Sequence, residues 1–253
     1  MSGPIYQPAA LVAKDGKQPL KLNVGCGRNT MDDFINCDLD AAPHVDVNFD
    51  LQKDWPFEDN SAGIVYASHV IEHLTDPFTF MREAWRVLMP GGQMTLRMPY
   101  GSHRAAWWDL THIRPWFPES FCMFQPGHAV CTGNPQHMNW EWPWAIHCAD
   151  MRIAGNFRRW LKWKPIRKQV LNLGRSLTEF AEEIWMYMQP LKSAEAIAEY
   201  ERARPHWGNA VYVRWVMYRH QWEGRERPAE GEKLELLHIG DDEVRAAWAT
   251  ELS

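Results

Sequence analysis

The first hundred residues alternate short apolar runs with turns and one amphipathic stretch. Lys21-Leu22-Asn23-Val24 reads as a buried strand ending on Gly25-Cys26-Gly27, and Phe34-Ile35-Asn36-Cys37-Asp38 as a second strand closed by an acid. Val45 to Asp50 and Gly63 to Ala67 fit a third and a fourth strand. Pro77 to Leu88 has helical spacing, with Phe78, Met81, Ala84, Trp85 and Leu88 on one face, and Pro90-Gly91-Gly92 is expected to stop it. Met94 to Met98 follows as a fifth strand. This order predicts an α/β, doubly wound, mostly parallel sheet with its ligand at the C-terminal ends of the strands. Only seven residues lie between Gly27 and Ile35, too few for a helical crossover, so the first helix should shrink to a turn.

After Pro99 the pattern changes. Tyr100 to Trp144 is rich in tryptophan, phenylalanine and histidine, and is expected to form a cap that covers the sheet, lines a substrate pocket, or both. Leu177 to Ala203 interleaves acids with apolar residues and reads as helical; Ala210 to Tyr218 alternates and reads as a late antiparallel strand. Residues 1–19 are predicted to be an N-terminal arm, 20–225 the catalytic domain (cofactor half 20–100, cap half 101–225), and 226–253 a tail.

Composition narrows the class. The chain is 45% hydrophobic and 23% charged, in the range of soluble globular proteins, and has no apolar run long enough to span a bilayer. Its start lacks a charged segment followed by an apolar one, so a cytoplasmic location is expected. Five cysteines without a Cys-x-x-Cys pair argue against a disulfide framework or a four-thiolate zinc site. A net charge of −5 gives no global attraction to nucleic acid, which would need a local patch. Arg152 to Arg175, with eight basic residues and no acid, is the candidate for one.

The chemistry centres on the glycine turn. Gly25-Cys26-Gly27 can bring backbone close to a ligand, and the Asp38 carboxylate can accept from two ribose hydroxyls. The missing helix removes the N-terminus on which a dinucleotide pyrophosphate leans, which disfavours NAD and favours S-adenosylmethionine. The glycine turn, then Trp55 to Ser61, Ser68-His69-Val70-Ile71-Glu72-His73-Leu74, and Arg86 to Gly92 stand in an order and spacing that resemble the class I S-adenosylmethionine-dependent methyltransferases of the type 11 group. The resemblance covers about residues 20–100 and weakens to about residue 121. It implies a seven-stranded Rossmann-like sheet, here with a Trp-rich cap and a helical insertion before the last strand. It also implies a cofactor site formed by Asn23, Gly25, Cys26, Gly27, Asp38, Leu39, Asp50, Leu51, Ser68 and His69.

On the acceptor side, Asp109 could orient His112 as a general base for a hydroxyl, while Arg114, Trp107 and Trp108 bind substrate. His69-x-x-Glu72-His73 partly resembles the Glu-x-x-Glu-His metal site of quinone-pathway and small-RNA-end O-methyltransferases, and would suit Zn²⁺ or Mn²⁺. The same run occurs through the type 11 group with no metal implied, so none is expected. The chain lacks both the Asp-Pro-Pro-Tyr motif of exocyclic-amine methylation after the fourth strand and any Pro-Cys nucleophile. The expected activity is methyl transfer to a hydroxyl of a small molecule or glycan. The alternatives are a nucleic acid or nucleotide substrate held by residues 152–175, or a non-catalytic binding protein of the same fold. The sequence specifies no oligomeric state.

Overall fold

The computed structural model describes residues 18–126, 141–154, 179–203 and 213–216. Nearly all of the N-terminal arm, most of the basic stretch and the C-terminal tail lie outside them. In chain order the elements are β1 (Leu20–Val24), β2 (Ile35–Asp38), β3 (Val47–Asn48), β4 (Ala62–Ser68), α1 (Pro77–Val87), β5 (Leu88–Pro99), α2 (Ala105–Trp108), β6 (Trp144–Ile153), β7 (Ala181–Pro190), α3 (Ala194–Ala203) and β8 (Val213–Val216). Short 3-10 turns at Ile71–His73 and Pro118–Phe124 complete the described elements.

The strands form one sheet in the order β3-β2-β1-β4-β5-β7-β6-β8. From β3 to β5 all pairings are parallel, β7 is antiparallel to both β5 and β6, and β8 is parallel to β6. The chain reverses direction beside β1, between the β2 and β4 sides, which in an open α/β sheet puts a crevice at the strand C-termini. No helix among the described residues is long and apolar enough to cross a membrane.

Three expectations are corrected. The described sheet has eight strands rather than seven, because β6 begins at Trp144 in what reads as cap. The helix expected over Leu177 to Ala203 is a strand followed by a helix. Ile184, Met186 and Met188 are buried and alternate with partly exposed Trp185 and Tyr187, which is the period of a strand. The late strand also runs parallel to its neighbour, not antiparallel.

No helix separates β1 from β2. Polar side chains hold the turn in its place. Buried Asn23 donates to the Asn29 carbonyl (2.9 Å) and to Asn36 Oδ1 (2.9 Å). Asn36 also accepts from Met31 N (2.9 Å) and donates to the Met31 and Phe34 carbonyls (both 3.2 Å). Asp46 Oδ2 accepts from the Asn36 backbone (2.8 Å) and so ties in the approach to β3. These bonds satisfy backbone groups that a helix would otherwise pair.

On the other side of β1, Asp76 caps α1 by accepting from Phe78 N and Thr79 N, with Pro77 in the first turn. α1 buries Phe80, Met81, Ala84 and Val87. It ends at Val87, and β5 starts at once, so Pro90-Gly91-Gly92 lies inside the strand as an irregularity rather than at the helix stop. Buried Glu83 accepts from Trp55 N (2.9 Å) and pairs with Arg86 (2.7 Å), fixing the loop before β4. Much of the aromatic stretch closes the core. Trp116 stacks on buried Phe121 with ring centroids 5.1 Å apart, and Phe124 packs beside them.

A candidate active site at the C-terminal edge of the sheet

β1 and β2 are parallel neighbours with Val24 opposite Cys37, so the glycine turn and Asp38 emerge side by side. Gly27 N donates to Asp38 Oδ2 at 2.7 Å, and Cys26 N donates to the Cys37 carbonyl at 3.0 Å. Asp38 Oδ1 accepts weakly from Asp40 N at 3.3 Å. An ionised carboxylate has about four acceptor positions, so Asp38 retains capacity for ribose hydroxyls. His44 Nε2 lies 2.7 Å from the Gly27 carbonyl and braces the far side of the turn.

The two glycines have different reasons to be glycine. Both have left-handed backbones, with φ of +67° at Gly25 and +52° at Gly27. A Cβ on Gly25 would meet Val70 Cγ2 at 2.3 Å, whereas one on Gly27 would meet nothing within 4 Å. Gly25 is the seat of Val70, and only Gly27 faces open space.

The other expected cofactor residues divide likewise. Asn23 and Cys26 are buried, with the Asn23 amide engaged by the turn. Leu39 is largely exposed just beyond Asp38. Asp50 accepts from Gln52 N at 3.0 Å and lies 3.5 Å from Lys53, while Leu51 joins the core. Burial pushes the Cys37 thiol up to about 12, aided by the charges around Cys26, Asp46 and Asp38, which makes it an inert thiol.

Ser68 ends β4, and His69 follows with a left-handed backbone (φ 55°), uncommon for a residue with a side chain. Its amide donates to the Arg97 carbonyl at 2.8 Å. Its ring bridges two acids: Nδ1 lies 3.1 Å from Glu72 and Nε2 lies 3.5 Å from Glu183. Glu183 also receives Arg97 at 2.6 Å and Arg152 at 3.1 Å, and Arg152 reaches Glu182 at 2.6 Å. The register explains the cluster, since Glu183 stands opposite Arg152 on β6 and diagonal to Arg97 on β5. Burial opposes charge on His69, but the Glu183 and Glu72 carboxylates outweigh it and push the ring up to about 9. Burial likewise opposes charge on Glu183, yet His69 and Arg97, then Arg152, hold it down at about 2. His69 is therefore an imidazolium near neutral pH and a structural cation, unsuited to removing a proton.

A second group lies on the cap side. One ligand-type atom from each of Glu72, His73 and His112 lies within 4.8 Å of the others. The His73 and His112 rings meet edge to face with centroids 4.7 Å apart. Thr111 holds His73 Nδ1 through its carbonyl (3.3 Å) and hydroxyl (3.0 Å), and the Ile113 amide donates to the Glu72 carbonyl at 2.8 Å. Buried Glu72 Oε2 and His112 Nδ1 have no hydrogen-bond partner. Leaving such groups unpaired costs about 1–3 kcal/mol each. Asp109 Oδ2 stands 3.8 Å from His112 Nε2, while Oδ1 accepts from Thr111 N (2.9 Å) and Thr111 Oγ1 (2.6 Å). These hydrogen bonds from Thr111 lower the Asp109 carboxyl below its ordinary range.

His69, grouped with Glu72 and His73 in the sequence, spends both ring nitrogens on Glu72 and Glu183, and His112 rather than His69 completes the cluster. Of the expected substrate residues, Trp107 and Trp108 are 63% and 69% exposed. Trp107 Nε1 donates to the Gly101 carbonyl (2.8 Å), Arg104 lies over Trp108 (5.8 Å), and Arg114 donates to the Thr75 carbonyl (3.1 Å). Sequence reasoning missed Arg97, Arg152 and Glu183. The sequence offered no clear signal for this cluster, because Ile184 to Met188 are all apolar or aromatic and their alternation shows only in which of them are buried.

Residues 22–96 match the family model described as "Methyltransferase domain", of the type 11 group. A probable S-adenosylmethionine-dependent methyltransferase of Mycolicibacterium smegmatis is 33% identical over 95 residues, which are 31% of this chain and 37% of that protein. The match thus spans little more than a third of that relative. Among solved structures, the YcgJ protein of Bacillus subtilis aligns with 70% of this chain and 93% of its own, at TM-score 0.42 and 14% identity. A SAM-dependent methyltransferase of Archaeoglobus fulgidus aligns with 68% of this chain and 86% of its own, at TM-score 0.43 and 16% identity.

Proposed function

Residues 22–96 being a methyltransferase domain of the class I S-adenosylmethionine-dependent kind, we propose that the chain moves the methyl group of S-adenosylmethionine to a hydroxyl of a small molecule or glycan. The observation that carries this reading is the pairing of Gly27 with Asp38. It puts an open, side-chain-free turn beside a carboxylate with acceptor capacity left for a ribose. In the transfer a C–O bond forms as the S–CH₃ bond breaks, S-adenosylhomocysteine leaves, and the hydroxyl proton is lost. The donor is already activated by its positive charge, so the protein mainly aligns the acceptor and takes up that proton. Deprotonation falls to the group formed by Glu72, His73 and His112 with Asp109, which adjoins the Ser68–His69 edge. Trp107, Trp108 and Arg114, which adjoin Asp109 and His112 along the chain, are the residues we assign to acceptor binding.

The test is calorimetric titration of the wild type and Asp38→Ala with S-adenosylmethionine and S-adenosylhomocysteine, with NAD as control. Micromolar binding, weakened at least tenfold (about 1.4 kcal/mol) by Asp38→Ala, is the expected result. No heat and no thermal shift at millimolar ligand would overturn the reading. Transfer of labelled methyl to a panel of hydroxyl acceptors then identifies the substrate class.

A further inference from the structure

We infer that Glu72, His73 and His112 form a binding site for a divalent transition-metal ion of the Zn²⁺ or Mn²⁺ type. A carboxylate and two imidazoles are the donor set such ions favour. The three side chains present one ligand-type atom each within 4.8 Å of one another. They come from two segments, the 3-10 turn at Ile71–His73 and the loop after α2, which the Ile113 to Glu72 backbone hydrogen bond joins.

Proximity alone would not distinguish a metal site from a polar surface. The unpaired atoms do. Glu72 is 2% exposed, its Oε1 is held by His69, and its Oε2 has no partner. The His112 side chain is 8% exposed and its Nδ1 also has no partner. Glu72 and His112 thus each bring a buried atom without a hydrogen-bond partner to the same three-residue cluster, and a cation held among the three side chains would satisfy both at once.

The outer nitrogen of the His73 ring is held as that of a metal-bound histidine is. Thr111 engages His73 Nδ1, leaving Nε2 without a hydrogen bond to the described residues, while Asp109 Oδ2 lies 3.8 Å from His112 Nε2, an ion-pair distance longer than a hydrogen bond. A carbonyl or carboxylate on the far nitrogen fixes the tautomer with its lone pair toward the ion. Thr111 in turn bonds Asp109, so one short loop carries both the partner of His73 and the acid nearest the His112 ring. The ligand set is not the His69, Glu72 and His73 suggested by spacing, because His69 spans Glu72 and Glu183 in an ion pair of its own.

Three protein ligands leave a tetrahedral ion one open position, and partly exposed His73 leaves a way in for a ligand. If the proposed methyl transfer holds, an acceptor hydroxyl on that ion would be acidified without a free histidine base. This consequence rests on the proposed function; the ion binding does not.

The experiment is titration of the metal-free full chain with Zn²⁺ alone by calorimetry, and with Co²⁺ alone as a visible-absorption reporter. Saturable binding with a micromolar or tighter Kd is expected. Glu72→Gln and His112→Gln should each weaken it at least tenfold, and His69→Gln should weaken it less than either. Absence of saturable binding by the wild type overturns the proposal without any variant. So does a His112→Gln protein that binds as the wild type does, or one in which only His69→Gln loses the ion. S-adenosylmethionine is titrated into the same samples. Ion binding with no cofactor binding would then sink the methyltransferase reading and leave the metal site standing, and the reverse result would do the opposite.

Discussion

At the scale of single residues, the two glycines of the turn carry the sharpest contrast. Gly25→Ala combines a left-handed backbone with a Cβ driven into Val70, so a loss of about 2 kcal/mol or more in urea unfolding is expected. Adding Val70→Ala should recover part of it, because it removes the clash and leaves only the backbone strain. Gly27→Ala keeps the strain and meets no atom, so stability should fall by about 1–2 kcal/mol. Its main effect should be on cofactor affinity, read by calorimetry, since its methyl enters the space in front of Asp38. Equal losses of stability in the two variants would contradict this division of roles. The Gly-x-Gly pattern is legible in the sequence, but which glycine serves packing is decided by Val70, nearly fifty residues away.

At the scale of elements, the turn between β1 and β2 stands on Asn36. Its side chain serves Asn23, Met31 N and two carbonyls. Asn36→Ala leaves several of these groups unpaired inside the fold, so a loss of about 1–3 kcal/mol is expected in chemical denaturation. Cofactor binding should weaken too, because Gly27 is held by the same turn. A variant as stable as the wild type would show that water replaces the side chain. The sequence reveals that the connection is too short for a helix, because that needs only a count of residues. It does not reveal the Asn23, Asn36 and Asp46 network, since its partners are set by the register of β1, β2 and β3. β7 departs from the helix expected there for a related reason. Glu182, Glu183 and the apolar residues after them fit a helix nearly as well as a strand, and only burial between β5 and β6 selects the strand.

At the scale of the whole molecule, the charge cluster at the β5, β7 and β6 seam makes stability depend on pH. His69 is held above its ordinary value of 6.5, up to about 9, so its contribution is complete below 6.5 and is lost as pH rises through 9. Glu183 is held below its ordinary 4.5, at about 2, so its contribution is complete above 4.5 and is lost as pH falls through 2. Arg97, Arg152, Glu72 and Glu182 are the other charged groups facing the pair. The stability difference between wild type and Glu183→Gln should therefore be greatest from about pH 4.5 to 6.5, shrink toward pH 2, and lose its His69 part above pH 9. Urea unfolding across this range measures it, and a difference independent of pH would show that the pair is worth nothing beyond its shape. His69 is 38% exposed, so added salt should reduce its share more than that of Glu183.

The sequence by itself determined the α/β class, the parallel half of the sheet, the residues of the glycine turn, and the likeness of residues 22–96 to a methyltransferase domain. Each of these rests on local periodicity or on motifs a few residues long, which neighbours along the chain impose. Tertiary structure alone decided the rest. It added a strand where the aromatic stretch reads as cap, set Glu183 against the His69 ring, and brought His112 to Glu72. Those are encounters between residues about forty to more than a hundred positions apart. No local pattern encodes them, because strand register and loop closure, not spacing, set which side chains meet.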